Sequence, residues 1–389
     1  MAIARRPTRG DCVGIVGAGQ LARMTYQAGI ALGLTVRLLA ETPEDAAALV
    51  AADVETGSAR SLEVLRRFAA SCDVLTFEHE LIDPAHLRDL ESAGHILRPG
   101  AAVATTVFDK RRQREVMVKE GLPVPAYTDA VEGADDIVAF GDRQGWPLVV
   151  KLANGGYDGR GVFVVRDAAE AEQLSVELAG RALLVEAWVP IEQELAVMVA
   201  RRPSGECVVY PVVETVQRDG ICHEVFAPAP LSAALEAQAK EMGRRMAEAM
   251  DLVGILAVEL FVTADGLVVN ELAARPHNSG HHTIEGCVTS QFENHLRAVL
   301  DLPLGEPGLV GTAVAMANVL GAGDGVEPQT ALGAALEVPG AHVHLYGKQA
   351  RPGRKLGHVT VVGDDLNDAR ERARRAAGLL MGAREREPV

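Results

Sequence analysis

"VVKLANGGYDGRGVFVV", residues 149–165, holds four glycines between two runs of β-branched residues. The glycines are therefore expected within a hairpin, whereas those of a nucleotide-binding P-loop join a strand to a helix. Such a loop is a flap whose backbone N–H groups can fold over phosphates, and Lys151 at its base supplies a point charge for them. A mobile surface turn is the alternative, but a turn rarely needs four glycines together with a tyrosine, an aspartate and an arginine. The stretch favours a hairpin that binds phosphates.

A second hairpin is predicted downstream, where the runs "LAVELFV" and "LVVNELA" are joined by turn residues 263–266. Regular pairing would place Glu259 opposite Asn270 and turn Glu271 to the other face of the sheet. Carboxylate and amide oxygens are the ligands that Mg²⁺ prefers when it also bridges phosphates. A bulge or the end of the strand would have to turn Glu271 inward for it to join such a site. Exposed acids on a strand are the alternative.

The segment "LAARPHNSGHHT", residues 272–283, concentrates hydrogen-bonding side chains directly after this strand. They include Arg275, His277, Asn278, Ser279 and His282. Burying so many polar groups costs free energy unless a polar ligand uses them. A zinc site is the rival interpretation because two of the histidines are four residues apart, but an intervening glycine and a preceding proline disfavour the helix that would align them. We expect a polar ligand here and no metal bound by the histidines.

A basic segment, "YGKQARPGRKLGH" at residues 346–358, stands out in an acidic chain. Its charges come from Lys348, Arg351, Arg354 and Lys355. A clamp for a phosphate group and a solvated loop or helix-dipole partner account for it equally well.

The N-terminal stretch "GIVGAGQLARM", residues 14–24, matches the dinucleotide-binding fingerprint as Gly17-x-Gly19-x-x-Ala22. Glu41 even stands where the ribose-binding acid of a nicotinamide dehydrogenase would be. A glycine turn nevertheless serves any α/β sheet that needs a tight entry and a helix N-terminus near an anion. We therefore favour a general anion or substrate loop over a dehydrogenase.

Alternation of strands and helices predicts a parallel sheet up to about residue 100. Strands are expected at 12–16, 35–40 and 73–77, and helices at about 20–32 and 62–70. From Trp146 onward, closely spaced short strands predict an antiparallel sheet. Further helices are expected at about 232–250 and 290–300, and a charged helix should end at Gly121.

Composition limits the classes of partner. The formal net charge is −15, from 38 basic and 53 acidic residues, which argues against nucleic-acid and anionic-membrane partners. The five cysteines are scattered and suggest neither a disulfide framework nor a zinc knuckle. No apolar run approaches the roughly 20 residues that span a bilayer, and the first residues lack the apolar core of a secretion signal. We expect a cytoplasmic protein of two or three domains.

A flap hairpin with a lysine, followed by a carboxylate hairpin, is the layout of an ATP-dependent ligase. With this layout the chain resembles the ATP-grasp superfamily and, within it, the 5-(carboxyamino)imidazole ribonucleotide synthase family of purine biosynthesis. The resemblance extends to six sequence blocks: "GQLARM", "TFEHE", "GGYDGRG", "NELAARPHNSGHHT", "SQFENHLRAVL" and "YGKQARPGRKLGH". The resemblance implies an α/β chain with the ATP-grasp fold: an N-terminal Rossmann-like parallel-sheet domain at 1–105, a two-part ATP-grasp at 106–305 with its flap subdomain at about 125–190, and a small β-rich domain at 306–389.

The resemblance also implies the reaction. Members carboxylate the exocyclic amine of 5-aminoimidazole ribonucleotide with ATP and bicarbonate, through carboxyphosphate, in de novo purine (IMP) biosynthesis. Mg²⁺ is the implied cofactor, without NAD or biotin, and a homodimer and functional coupling to the downstream mutase are implied as well. The alternatives are another ATP-grasp ligase (formate-dependent glycinamide ribonucleotide transformylase or biotin carboxylase), a nicotinamide-binding dehydrogenase and a non-catalytic nucleotide sensor.

By the same resemblance, site residues fall into groups. The ATP phosphates would contact Lys110, Lys151 and the flap residues Gly156, Tyr157, Asp158, Gly159, Arg160 and Gly161. The adenine hinge would comprise Glu186, Ala187, Trp188 and Val189, with Glu194 on the ribose. Mg²⁺ would be held by Glu259 and Glu271, with Asn270 beside them. The ribonucleotide and the reacting groups would contact Gln20, Tyr157, Asp158, His277, Asn278 and Ser279, with its phosphate on Lys348, Arg354 and Lys355. Catalytic parts would fall to Asp158, Arg160, His277 and Lys151.

Overall fold

The computed structural model describes residues 12–156, 160–322 and 325–382. Its N-terminal part is a parallel sheet of order β3-β2-β1-β4 with helices on its connections, as the alternating pattern predicts. The elements are β1 (Cys12–Val16), α1 (Gln20–Ala31), β2 (Thr35–Ala40), β3 (Val54–Thr56), α2 (Leu62–Ala69), β4 (Val74–Phe77), α3 (Pro84–Ser92) and α4 (Ala101–Val107). The short strand β3 was not predicted, because three residues are too few to show a period.

A small antiparallel sheet of order β5-β8-β6-β7 carries the glycine-rich stretch between β6 and β7. The elements are α5 (Lys110–Lys119), β5 (Tyr127–Thr128), α6 (Ala134–Gln144), β6 (Leu148–Leu152), β7 (Val162–Val165), α7 (Ala168–Glu177) and β8 (Leu183–Ala187). Side chains of α6 and α7, among them Ile137, Phe140 and Leu174, form an apolar core with the sheet. The glycines therefore lie within a hairpin, as predicted.

A larger antiparallel sheet, of order β14-β13-β9-β11-β12-β15-β17-β16 with β10 beside β9, forms the rest of the fold. Its elements are β9 (Gln193–Arg201), β10 (Cys207–Val209), β11 (Val213–Arg218), β12 (Ile221–Ala227), α8 (Ala233–Ala249), β13 (Gly254–Thr263), β14 (Gly266–Ala273), α9 (Thr283–Gly286), α10 (Gln291–Val299), β15 (Ala313–Leu320), α11 (Leu332–Leu336), β16 (Ala341–Leu345), β17 (Lys355–Gly363) and α12 (Leu366–Leu380). Two 3₁₀ turns lie at Asn278–Gly280 and Pro328–Ala331.

Two differences from the expected architecture stand out. The strands after Trp146 divide between two sheets instead of forming one, because each sheet packs against an apolar core of its own. Strand β15 pairs with β12, so the large sheet continues across the boundary expected at residue 305. Within the described ranges, no helix has both the length and the apolar character needed to cross a bilayer.

Helix α5 places two cations on one side of the fold. Asp109 caps its start by accepting a hydrogen bond from the N–H of Arg111 at 2.9 Å. Lys110 is the first helical residue, and Arg114 follows four residues later, so both side chains project from the same face. Both are buried, which a solvated run of charges would not require.

Candidate active site

One cleft of about 880 Å³ is lined by residues of the N-terminal domain, the flap sheet and the large sheet. Its volume lies within the range of small-molecule sites. Lys151 enters the cleft from β6, Glu259 and Asn270 enter from β13 and β14, and Gln20 enters from the start of α1.

A β-bulge in the acidic hairpin decides which side chains reach the cleft. Glu259 is paired with Glu271 and Leu260 with Val269, so Asn270 is the extra residue on β14. The expected pairing of Glu259 with Asn270 was therefore wrong, because regular alternation assumes that both strands advance in step. The bulge brings all three oxygen-bearing side chains to the cleft, and the Asn270 amide donates to Glu259 Oε2 at 3.1 Å.

The flap sheet and the acidic hairpin meet at the base of the cleft. Lys151 Nζ lies 3.0 Å from Asn270 Oδ1 and 2.7 Å from Glu186 Oε2. Lys110 forms an ion pair with Glu271. Two cations suited to phosphates therefore stand beside the oxygen donors suited to a divalent metal ion.

Arg114, which the sequence did not single out, completes this cluster. Its Nε donates to Glu186 Oε1 at 2.5 Å, and its guanidinium also donates to the carbonyl of Asn270 at 2.6 Å. The Glu186 side chain, expected at the adenine hinge, is thus a counter-ion that is 2% exposed. Burial raises the pKa of Glu186, but the cations of Lys151 and Arg114 outweigh it and lower that pKa below its usual value. The only signal in the sequence was the spacing of Arg114 from Lys110.

Burial and neighbouring charges shift the pKa values of the carboxyl groups of the cleft in different directions. Burial, and then the charge of Glu259, raises the pKa of Glu194 to about 7. Burial, and then the charge of Glu271, raises the pKa of Glu259 to about 6. Burial also opposes ionisation of Glu271, but Lys110 lowers its pKa. Glu259 and Glu271 repel each other when both are ionised, and a divalent cation bound between them would offset that repulsion. Two carboxylates beside an amide oxygen are also a suitable donor set for such a cation.

The histidine segment, residues 272–283, places His277 in the cleft lining together with Asn278 and Ser279. His277 Nδ1 lies 2.8 Å from Ser279 Oγ, and its Nε2 lies 3.7 Å from Glu259 Oε1. Asn278 exchanges two hydrogen bonds, of 3.1 and 2.8 Å, with Asn318 on β15. Asn318 is 40 residues away in sequence, so no local pattern could reveal it as the partner.

The N-terminal glycine loop encloses a carboxylate of the protein itself. Glu78 accepts hydrogen bonds from the N–H groups of Gly19 at 2.5 Å and Ala22 at 2.8 Å. A Cβ atom at Gly17 or at Gly19 would lie 2.4 Å from atoms of the Glu78 side chain. Glycine is required here because the carboxylate comes so close, and the anion bound at this helix N-terminus is Glu78.

The remaining expected residues are distributed unevenly. The cleft is lined by Gly156, Ala187, Trp188, Val189, Glu194, Asn278, Ser279 and Lys355. Lys348 is not among the lining residues, but it donates a hydrogen bond to Oε1 of Gln20, which is one of them. Arg160, which is exposed, and Gly161 and Arg354 are also outside the lining. Tyr157, Asp158 and Gly159 lie outside the residues that the structure describes.

Three family models match consecutive parts of the chain. The ribonucleotide synthetase preATP-grasp domain matches residues 11–106, and the ATP-grasp domain matches residues 115–292. The C-terminal domain of phosphoribosylaminoimidazole carboxylase matches residues 314–372. The order of the three matches is the one implied by the sequence blocks.

Similar proteins match nearly the whole chain. N5-carboxyaminoimidazole ribonucleotide synthase of Mycobacterium tuberculosis is 47% identical over 96% of this chain and 88% of its own length. The Corynebacterium ammoniagenes protein of the same name is 41% identical, over 95% and 92%.

Solved structures of proteins in the same family are also similar to this chain. The Thermus thermophilus synthetase has a TM-score of 0.86 at 38% identity, covering 96% of this chain and 100% of that one. The Aspergillus clavatus synthase, in complex with ADP and 5-aminoimidazole ribonucleotide, has a TM-score of 0.87 at 34% identity, covering 96% and 99%. The chain belongs to the N5-carboxyaminoimidazole ribonucleotide synthase family of ATP-grasp ligases.

Proposed function

We propose that this chain carboxylates the exocyclic amine of 5-aminoimidazole ribonucleotide with ATP and bicarbonate in purine biosynthesis. Family membership supports the substrate, since the Aspergillus clavatus relative was solved with ADP and that ribonucleotide. The observation that carries the proposal is the contact of Lys151 with Asn270, because it makes the flap hairpin and the acidic hairpin face one cleft.

ATP would extend across the base of this cleft. Its phosphates would meet Lys110 and Lys151 and the flap, its ribose hydroxyls would meet Glu194, and its adenine would lie against the strand end at residues 186–189. Lys110 now pairs with Glu271, and Lys151 pairs with Glu186 and donates a hydrogen bond to Asn270 Oδ1. Phosphates would attract the same lysines, which would free the acidic oxygens for a metal ion.

Mg²⁺ fits the oxygen donors that stand beside these lysines. Glu259 and Glu271, with Asn270 beside them, offer the hard oxygens that this ion prefers. Burial, and then the charge of Glu271, raises the pKa of Glu259, so a cation there would favour its ionised form. When bound, Mg²⁺ would neutralise charge on the phosphates during transfer.

Bicarbonate is a poor electrophile and must be activated first. One of its oxygens would attack the γ-phosphorus of ATP, the bond to ADP would break, and carboxyphosphate would form. The amine nitrogen would then attack the carboxyl carbon of carboxyphosphate, or the CO₂ that it releases, and phosphate would leave. Closure of the flap would exclude water, which would otherwise hydrolyse the intermediate.

Three side chains would orient the amine and stabilise charge in this step: Asp158, Arg160 and His277. The geometry supports His277, since Ser279 holds its Nδ1 and leaves its Nε2 facing Glu259 in the cleft. Asn278 and Ser279 would then act mainly by positioning this histidine. We expect Asp158→Asn to slow carboxylation, and a wild-type rate would remove Asp158 from the proposal.

The ribonucleotide would lie between the N-terminal domain and the basic segment. Gln20, with Tyr157 and Asp158 of the flap, would contact its base and sugar. The hydrogen bond from Lys348 to Gln20 joins residues 328 positions apart and brings the basic segment to the glycine loop. This supports a phosphate clamp made of Lys348, Arg354 and Lys355.

Three broader parts of the proposal rest on the family alone: a cytoplasmic location, a homodimer, and functional coupling to the mutase that consumes the product. Light scattering after size exclusion tests the dimer. A monomer that retains full activity would remove the dimer from the proposal.

The reaction is tested by measuring ADP release with each acceptor in turn. Bicarbonate-dependent release should rise with 5-aminoimidazole ribonucleotide and stay at the basal rate with biotin, or with formate and glycinamide ribonucleotide. Stimulation by either of the latter would reject the proposal in favour of the rival ligases. Separate calorimetric titrations with ATP and NAD test the dehydrogenase alternative.

A further inference from the structure

A second group of ligand-type side chains lies outside the cleft, where α9 meets the last two strands of the large sheet. Glu285 on α9, His344 on β16 and His358 on β17 each offer one ligand atom within 4.8 Å of the others. None of the three is among the residues that line the cleft.

The strand register places the two histidines side by side. His344 is directly opposite His358, and the two rings stack with centroids 4.5 Å apart and planes 9° apart. Residues opposite each other on antiparallel strands share a face of the sheet, so both rings can reach one ligand. Glu285 closes the group, because its Oε1 is 2.6 Å from His344 Nε2.

Two buried atoms of this group point to a missing ligand. Among the residues that the structure describes, Glu285 Oε2 and His358 Nε2 are buried without a hydrogen-bond partner. Buried polar atoms in native proteins almost always have a partner, so each calls for an explanation. His358 is fully buried, and its Nδ1 lies 2.7 Å from the Tyr346 hydroxyl. When Nδ1 of His358 donates to that oxygen, its Nε2 carries a lone pair that accepts no hydrogen bond.

We propose that Glu285, His344 and His358 bind one divalent first-row transition-metal ion, with Zn²⁺ as the preferred ion. Two imidazole nitrogens and a carboxylate are a common zinc ligand set, whereas Mg²⁺ prefers oxygens alone. Tyr346 would orient His358 from behind, as outer partners of metal-bound histidines do. A water molecule can supply the fourth ligand, because the side chains of His344 and Glu285 are 17% and 14% exposed.

Binding requires the side chains of the group to move. Tetrahedral ligands at about 2.0–2.1 Å from zinc lie about 3.3 Å apart, so His344 Nε2 and Glu285 Oε1 would separate slightly from 2.6 Å. The two rings would also rotate out of their parallel stack to direct both nitrogens at the ion. The ion would join α9 to β16 and β17, and it would therefore stabilise the folded chain.

The test uses the full chain after treatment with a chelator, in excess Mg²⁺ so that oxygen sites such as Glu259 and Glu271 are occupied. Calorimetry should find one Zn²⁺ bound per chain, and the melting temperature should rise with Zn²⁺. Co²⁺ in place of Zn²⁺ should give the visible absorption of a tetrahedral site with nitrogen ligands. We expect Zn²⁺ binding to weaken at least about tenfold in H344A and in the near-isosteric E285Q.

His342 provides the matched control, because it is an exposed histidine on the same strand and outside the group. H342A should bind Zn²⁺ as the wild type does. The proposal is overturned if the wild type binds no more Zn²⁺ than H344A and E285Q, or if H342A loses binding to the same extent. Circular dichroism shows whether each variant is folded, and E285Q keeps the test decisive if H344A is not.

Discussion

Replacing Glu186 with glutamine should destabilise the nucleotide-free protein strongly. The carboxylate is buried, with Arg114 Nε at 2.5 Å and Lys151 Nζ at 2.7 Å. Glutamine keeps the size of the side chain but removes its charge. Two buried cations would then share a site without their counter-ion.

The magnitude follows from the geometry. Removing one partner of a buried ion pair costs about 3–5 kcal/mol, because the other charge stays buried without compensation. With an unfolding entropy of about 2.1 cal/mol/K per residue, the 389 residues give roughly 0.8 kcal/mol/K, so the melting temperature should fall by about 4–6 °C. The site would carry one more positive charge, so the phosphates of ADP should stabilise E186Q more than they stabilise the wild type.

The assay is thermal unfolding by calorimetry, with and without ADP and Mg²⁺. The control is E192Q, which makes the same change at an exposed glutamate on the following loop. Such substitutions at the surface usually change the free energy of unfolding by less than about 0.5 kcal/mol, so the melting temperature of E192Q should be close to that of the wild type.

The pH dependence gives an independent check on Glu186. Burial raises its pKa, but Lys151 and Arg114 outweigh burial, so the folded pKa is below the usual value. Its stabilising contribution is therefore complete above the usual pKa and is lost as the pH falls through the lower folded pKa. The difference between wild type and E186Q should shrink in acid. Equal melting temperatures at neutral pH would refute the reasoning, and a change in the KM for ATP alone would mean that the side chain acts directly on the nucleotide.

Three further variants test other parts of the cleft. Burial, and then the charge of Glu259, raises the pKa of Glu194 to about 7, so binding of ADP and Mg²⁺ at pH 7 should release protons and should weaken as the pH falls through 7. Calorimetry in buffers of different ionisation enthalpy should find less proton release in E194Q than in the wild type, and equal proton release would contradict this prediction. K348M should raise the KM for 5-aminoimidazole ribonucleotide about 10- to 150-fold, because it removes a charge-assisted hydrogen bond of about 1.5–3 kcal/mol, and it should leave the KM for ATP within about twofold of the wild type. Steady-state kinetics measure both constants, and a change in the KM for ATP alone would argue against the phosphate clamp. S279A should lower kcat about tenfold because it frees His277 Nδ1, and a wild-type kcat in the ADP-release assay would show that this hydrogen bond is not needed.

The sequence by itself determined the elements that short patterns specify. The parallel strands β1, β2 and β4, the glycine hairpin and the acidic hairpin all followed from periodicity and turn residues within windows of about ten to twenty residues. The order of the motifs then identified the family, because their combination is far more specific than the glycine fingerprint alone. The side-chain types suited to phosphates and a metal ion, such as Lys151 and Glu259, were also readable directly.

Only the tertiary structure decided how these side chains meet. The bulge at Asn270 depends on how β14 fits against β13, and the composition of neither strand encodes it. Arg114 donates a hydrogen bond to Glu186, 72 residues away in the sequence, and Glu78 accepts one from the N–H of Gly19, 59 residues away. Buried charges and amides must find partners wherever the fold supplies them, so these pairings are properties of three-dimensional packing and leave no periodic signal in the chain.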